Sequence, residues 1–567
     1  MNVLFFSPFA AVWKHAEPEI DIALELIKHK HEVTFLRCDS DFKNFCLAMS
    51  AYGVNFSSDP QEKLEICRRC KRSRLFVQQD LNLRSIKLND FGMMTSEDRL
   101  LAASVDSENW DSFTYMGIPV GKYASYEFLI HHKLIDRNIP QDLLSEYRSA
   151  LEYSIYVARV GREILVSGEY DKVIVYNRYY SVNRVFCRIA EDLGIPTFSL
   201  QASGPADSVY SKFSFVRDDL QNMSIPESEQ WREFASSSLS LNQITSVARH
   251  YEGLLGSKNQ WVFSSAARKI SRKSLRSKLG IPPDSKVLLL ATSSQDELAA
   301  LFLADVIPGD SEFNQASIFT SQVQWIRKVI DFLEQQEDVF LIVRVHPREF
   351  INYSGKGIAS NAQELLELLK VNSSPNIYIN TPTDDLSIYN LMSITDLLLT
   401  GYSSVGAEFA ALGVPVLSHY FHGVGYPRDL VTFSRSPQDY FQALEKLIQL
   451  NNRTVSVLGF RWFSFRYETM VRGYDSNGFS KYAKFLALWR RPKIKFGLRF
   501  PKFLSRFLIW RYMSKDSLVS PFLRVLNAEV GGFEDVKSPS REVGNLDQEY
   551  EQINIEINKI WRKLSDE

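Results

Sequence analysis

At 567 residues the chain is too long for one hydrophobic core and predicts two or three domains. Its 45% hydrophobic and 23% charged content, with a net charge of −1, give no electrostatic reason to expect nucleic acid as a partner. Five cysteines in this length fit a reducing compartment better than a disulfide framework, and no apolar run is long enough to predict a membrane-spanning helix.

The N-terminus, MNVLFFSPFAAVWKH, is apolar but lacks a basic start and a small-residue cleavage site. It predicts a buried first strand over Asn2–Ser7 and no signal peptide. An amphipathic helix over Glu17–His29 and a strand over Glu32–Arg37 follow. After an irregular insertion of about 100 residues, the pattern resumes. It gives a helix at Leu144–Ser167, a strand at Lys172–Tyr176, a helix at Val182–Leu193 and a strand at Pro196–Leu200. Such alternation predicts a parallel sheet covered on both faces. Residues 245–280 turn basic and helical, placing an interdomain linker there that ends at Pro282-Pro283.

A second alternating block opens with a strand at Lys286–Ala291. Its loop, Thr292-Ser293-Ser294, suits the approach of a phosphate and reads equally well as a plain βα turn. A helix at Gln322–Gln336 leads to the stretch VFLIVRVHPREF, a hydrophobic strand running into His346 and Pro347 with Arg344 and Arg348 on either side. Proline ends the strand, so these basic groups sit at its carboxyl end, where open α/β sheets bind ligands. A helix at Gln363–Val371 and a strand at Asn376–Asn380 come next. The segment from Asp396 to Leu417 reads DLLLTGYSSVGAEFAALGVPVL. Its apolar run predicts a buried strand that breaks at Gly401, a short helix from Val405 closed by Gly413, and another apolar strand. Ser403 and Ser404 then stand at a helix start, which favours an anion, while Glu408 lies one turn further on. The plainer reading is a strand–helix–strand unit with serine caps.

Taken together, RVHPRE, NIYINTPTDDLSIYNL and TDLLLTGYSSVGAEFAALGVPVL resemble the nucleotide-binding half of GT-B glycosyltransferases. They are most similar to bacterial capsule, lipopolysaccharide and teichoic-acid enzymes, several of which use CMP- or CDP-linked donors. The resemblance spans roughly residues 280–430 and is only general over the first 200. It implies an α/β fold of two doubly wound Rossmann-like domains facing across a cleft, with the donor in the C-terminal half and the acceptor in the N-terminal half. It implies that His346, Ser403 and Ser404 hold the donor phosphate and Glu408 the ribose, with Ser293, Ser294, Arg344, Arg348 and Tyr402 nearby. No D-x-D motif stands in a trustworthy place for a metal-bound diphosphate, since Asp39-Ser40-Asp41 lies in the wrong half, so no catalytic cofactor is expected. In such families the loop after the first strand often supplies the base. Here that loop contains His15, Glu17 and Glu19; His15 is the candidate, with Glu19 and Asp207 weaker, and the alternative is that His15 only caps or packs beside the first helix. Asn177-Arg178 and Gln201 to Gly204 resemble acceptor-side loops, although some relatives carry a glutamate where Gln201 stands.

Four cysteines, Cys38, Cys46, Cys67 and Cys70, cluster in the first half. The pair in C-x-x-C has the bite of a tetrahedral structural zinc site, whereas the looser spacing of the other pair fits buried thiols; both readings stand.

The segment 481–515 holds eleven Lys or Arg residues and no Asp or Glu, interleaved with Trp489, Phe496, Phe500, Phe503, Phe507 and Trp510. It reads as a surface lying on an anionic membrane, or as a basic face packed on its own fold. A polar helix over Gln548–Leu564 ends the chain. The expected domains are therefore 1–275 on the acceptor side, 280–480 for the nucleotide sugar, and 481–567 as a tail. The function these readings favour is a cytoplasmic transferase, peripheral at the inner membrane, acting on a glycan or lipid-linked acceptor in surface-polysaccharide assembly. A GT-B sugar-nucleotide epimerase and a non-catalytic binding module are the rivals.

Overall fold

A computed structural model describes the chain except for residues 203, 205, 207–208, 210–211, 218–227, 258–263, 307–316, 335, 350–359, 372–373, 421–424, 451–452, 454, 470, 473–525, 527–543 and 566–567. Its strands are β1 (Asn2–Phe6), β2 (Glu32–Arg37), β3 (Arg84–Lys87), β4 (Lys172–Tyr176), β5 (Thr197–Ala202) and β6 (Lys212–Arg217) in the first half. The second half supplies β7 (Lys286–Ala291), β8 (Val339–Arg344), β9 (Ile377–Asn380), β10 (Leu397–Thr400), β11 (Val416–Ser418), β12 (Thr432–Phe433) and β13 (Val471–Arg472). Runs such as VIVY in β4, VLLLA in β7 and LLLT in β10 are apolar on both faces because helices cover both sides of each sheet.

The first sheet has the order β13-β6-β5-β4-β1-β2-β3, with β6 alone reversed and antiparallel to both of its neighbours, β5 and β13. The second has the order β12-β11-β10-β7-β8-β9 and is parallel throughout. In each, the chain leaves its first strand to one side and later returns to the other: β1 lies between β2 and β4, and β7 between β8 and β10. That reversal opens a crevice at the carboxyl ends of the strands, the ligand position of doubly wound sheets. The protein is a two-domain α/β fold of the GT-B type.

The domains meet where the helix Tyr126–His132 packs on the helix Gln295–Leu303. Arg184 lies over the Tyr123 ring and donates to the Asp305 carbonyl across the same seam.

Three expectations change on folding. The insertion after β2 is not irregular: it contains the helices Leu47–Ala51, Pro60–Leu75, Ser96–Ala103, Val120–Ala124 and Tyr126–His132. The helices Glu229–Ala235 and Leu241–Leu255 precede the expected linker, yet Trp231, Ile244, Val247 and Tyr251 share one core with Val287, Leu289 and Phe409. A boundary near 275–280 therefore cuts through the second core. The terminal helix Leu546–Leu564, expected as part of the tail, belongs to the second domain, because it buries Ile553, Ile557 and Ile560 in that core. Arg461 grips its Glu549 through two contacts of 2.9 and 2.5 Å, and Glu549 also accepts the Leu239 N–H at 2.9 Å. The basic segment 481–515 lies outside the described residues. No helix among the described residues is long and apolar enough to cross a membrane.

Candidate nucleotide and acceptor site

Strand register puts three loops side by side in the second domain. Ala291 at the end of β7 is level with Arg344 at the end of β8 and with Thr400 at the end of β10. The loops Thr292–Ser294, Val345–Arg348 and Gly401–Ser404 therefore leave the sheet edge together, around the point where strand order reverses. The His346 N–H donates to Thr292 Oγ1 at 2.7 Å and joins the first two of these loops, while the Ser293 N–H donates to Gln322 Oε1 at 2.7 Å and ties the first loop to the helix Gln322–Leu333.

Not every residue expected to face the ligand does so. Arg344 is buried and donates to Asn380 Oδ1 at 2.6 Å and to the Thr381 carbonyl at 3.1 Å, so it fastens β8 to β9. Arg348 is buried as well, 3.2 Å from Asp296 and in contact with Glu297. Ser293 and Ser294 are buried, and Ser294 Oγ donates to Asp296 Oδ1 at 2.5 Å. Both arginines and the Ser294 hydroxyl, which look available in sequence, are used here to hold the loops, whereas the buried Ser293 Oγ makes no hydrogen bond. Tyr402 packs against Tyr420, and burial raises its hydroxyl to about 12, so it stays protonated. Beside Tyr402, the expected site residues left half-buried or exposed are His346, Ser403 and Ser404.

The His346 ring is held neutral: burial pulls its pKa down to about 4, with Lys133 and Arg344 adding to the effect. The Arg348 N–H points at Nδ1 from 3.3 Å, which leaves the ring proton on Nε2 as a donor. A phosphate dianion beside this ring would stabilise the imidazolium and strengthen that hydrogen bond. Ser404 begins the helix Val405–Ala411, which at seven residues contributes little dipole, so its hydroxyl and backbone matter more than the macrodipole.

Glu408 is buried with both oxygens engaged: Ser404 Oγ donates to Oε1 at 3.0 Å and the Tyr389 hydroxyl to Oε2 at 3.1 Å. Burial raises its pKa. The carboxylate thus orients Ser404 as well as offering its remaining lone pairs. The helix lies this close only because of glycines: a Cβ at Gly401 would meet His419 Nε2 at 2.5 Å, and one at Gly406 the Tyr426 hydroxyl at 2.2 Å. Glu408→Gln would point an amide N–H at one of two hydroxyl donors and free Ser404. It is expected to weaken nucleotide binding about tenfold by calorimetry, and equal affinity would reduce Glu408 to a packing residue.

The first domain forms the opposite crevice, between β1 and β4. Here the base candidates are on a helix rather than a loop, because the helix Trp13–Lys28 starts before His15 and carries Pro18 inside it. His15 stacks on Tyr176 with centroids 4.0 Å apart, and burial lowers its pKa to about 3, which makes it a weak base. Glu19 is 1% exposed. It accepts from Ser7 Oγ, which in turn accepts from Arg37 at 2.6 Å, and burial lifts the carboxyl to about 7. This network braces β1 against β2 and leaves Glu19 no path to an acceptor. Arg178 is paired with Glu191 at 2.7 Å, and Asp207 lies outside the described residues. Sequence reasoning passed over Glu127, whose carboxylate accepts the Ser181 N–H at 3.0 Å to each oxygen and is raised by burial to about 7. It lines a cavity of about 70 Å³ with Phe9, Phe42, Tyr153 and Val182. Its signal in sequence is slight, a single glutamate in the unrecognised helical insertion.

Residues 258–447, less than half of the chain, match the family model for CDP-glycerol:poly(glycerophosphate) glycerophosphotransferases. That span contains His346, Ser403, Ser404 and Glu408. No curated protein matches the chain. Among solved structures, the Thermosulfurimonas dismutans KpsC beta Kdo 2,4 transferase is similar at 13% identity, over 52% of this chain and 78% of its own, with a TM-score of 0.29. The Neisseria meningitidis UDP-GlcNAc 2-epimerase, at 13% identity, covers 82% and 98% with a TM-score of 0.28. Acinetobacter baumannii MurG, at 10% identity, covers 82% and 95% with a TM-score of 0.24. The fold assignment rests on strand order and register, not on these overlaps.

The four cysteines pack at the margin of the first core. The Ala11 N–H donates to Cys70 Sγ at 3.3 Å, and burial raises all four thiols, Cys70 to about 11. Among the described residues, the ligating atoms that converge within 4.8 Å belong to His131, His132 and Glu146, and the cysteines form no such group.

Proposed function

We propose that the protein is a GT-B transferase that moves a sugar or a related polyol phosphate from a nucleotide-activated, CMP- or CDP-linked donor to a surface-polysaccharide or lipid-linked acceptor. The observation that carries this reading is the convergence of His346, Ser403 and Ser404 from neighbouring strand ends at the switch point, within the span matched by the glycerophosphotransferase model. An acceptor hydroxyl attacks the donor carbon or phosphorus, the bond to the nucleotide phosphate breaks, and the proton passes to a base on the first domain. Negative charge gathers on the departing phosphate oxygens. Fixed donors in a water-poor cleft stabilise that charge, and the reading assigns this to His346 Nε2–H and the two serine hydroxyls without a catalytic metal.

A panel of nucleotides tested by thermal shift, followed by transfer assays, checks the proposal. Cytidine nucleotides are expected to raise Tm most, and turnover is expected to require acceptor. Turnover of a nucleotide sugar with no acceptor would point to epimerisation, and no nucleotide response would end the reading.

Segment 481–515 is proposed to hold the enzyme on an anionic membrane, each basic residue contributing about 1 kcal/mol if it reaches the headgroups. Full-length protein should then sediment with anionic but not neutral vesicles, more weakly in high salt. Protein remaining in the supernatant at low salt would remove the membrane from the proposal.

A further inference from the structure

We propose that His131, His132 and Glu146 bind one divalent transition-metal ion, of which zinc is the representative, in the first domain. The two histidines end the helix Tyr126–His132, and Glu146 lies in the first turn of the helix Leu144–Ser167. Their ligating atoms all lie within 4.8 Å of one another. His131 is 9% exposed and His132 4% exposed, so both rings are inside the domain.

The polar atoms at this point are orphans. His131 Nε2, His132 Nε2 and Glu146 Oε1 are buried and none makes a hydrogen bond. His132 Nε2 approaches Glu146 Oε1 to 3.1 Å without the angles of one. Leaving such groups buried and unpaired is costly. An ion pair between His132 and Glu146 would account for two of them and leave His131 stranded. One ion accounts for all three. Zinc–nitrogen and zinc–oxygen bonds of about 2.0–2.2 Å set ligand atoms about 3.3 Å apart around a tetrahedral centre, and the 3.1 Å contact fits that spacing. The two imidazoles stand nearly perpendicular, 86° between planes, with centroids 5.0 Å apart.

The ligand set is also chemically apt. Two imidazoles and one carboxylate form a borderline donor set suited to zinc, and three protein ligands leave a coordination position open. That position has somewhere to face, since His131 and Glu146 both line the cavity that Glu127, Ser149 and Tyr153 share. The residue after His132 is Lys133, in the left-handed conformation at φ 54°, whose ammonium reaches Asp296 of the second domain at 3.5 Å. A metal here would fix the helix end from which that interdomain contact leaves. The site is separate from the donor crevice; of the four cysteines, Cys46 lines the same cavity, whereas Cys67 and Cys70 do not.

The test uses full-length protein stripped with EDTA, returned to chelator-free buffer and titrated with ZnCl2 alone. Calorimetry is expected to show one equivalent bound per chain, with a rise in Tm. His131→Asn and Glu146→Gln should each weaken binding at least tenfold. Cys67→Ser combined with Cys70→Ser should leave it unchanged. Co²⁺ bound to wild type should show ligand-field bands without a thiolate charge-transfer band, which reads the ligand set even if a variant folds poorly. No stoichiometric binding by wild type, equal binding by the histidine and glutamate variants, or loss of binding with the cysteine pair would each overturn the proposal.

Discussion

Replacing Ser403 and Ser404 together by alanine is expected to lower kcat/KM for transfer by at least about 10²–10³-fold, the effect of removing fixed donors from a developing oxyanion. His346→Ala should do the same. The hydroxyls have two uses that disappear together. Ser403 Oγ accepts the Val405 N–H at 3.4 Å and so shapes the turn into the helix, while Ser404 Oγ is oriented by Glu408 at 3.0 Å. Ser404 is exposed and Ser403 half-buried, so truncating them opens no core cavity. Their cost in stability should stay near the few tenths of a kcal/mol typical of surface changes. The paired measurement is transfer rate and Tm. A folded double variant that retains full activity would remove the phosphate site from this crevice.

These residues were legible in sequence because their chemistry is local. An apolar strand, a glycine and two serines before a helix are consecutive, and the strand run and the helix start each announce themselves. The strands β4 and β7 are legible for the same reason, as apolar runs between breakers. What sequence does not show is who pairs with whom. Arg344 and Arg348 look like free cations beside His346, and only the fold reveals Asn380, Asp296 and Glu297 next to them. Glu19 reads as a candidate base until the fold turns it inward toward Ser7 and Arg37. Likewise the amphipathic helix Leu241–Leu255 carries an apolar face but no label for the sheet it covers, and it covers the second. Lys133 lies in an insertion whose pattern is too broken to read, so its contact with the second domain leaves no trace in sequence.

That contact carries the second large effect. Asp296→Asn is expected to destabilise the protein by about 3 kcal/mol, in the range for removing one partner of a buried ion pair. Asp296 is 2% exposed, and its carboxylate lies 3.5 Å from Lys133 Nζ and 3.2 Å from Arg348 Nη2. Ser294 Oγ completes the shell on Oδ1 at 2.5 Å. Arg348 keeps Glu297 when Asp296 loses its charge, but the Lys133 ammonium, with a side chain 3% exposed, has no other ion pair among the described residues. Burial already pulls the Lys133 pKa down and Asp296 works against that, so an amide here should lower it further. Because Lys133 belongs to the first domain and Asp296 to the second, the variant should also weaken donor binding by loosening the seam beside His346. The double variant Lys133→Met with Asp296→Leu separates the two contributions: it removes the stranded charge and should recover most of the stability without restoring the interdomain link. Denaturant unfolding of the single and double variants, read beside nucleotide affinity, checks both parts. A single variant that loses less than about 1 kcal/mol would mean the pair is hydrated in solution, as exposed ion pairs are, and does not hold the domains.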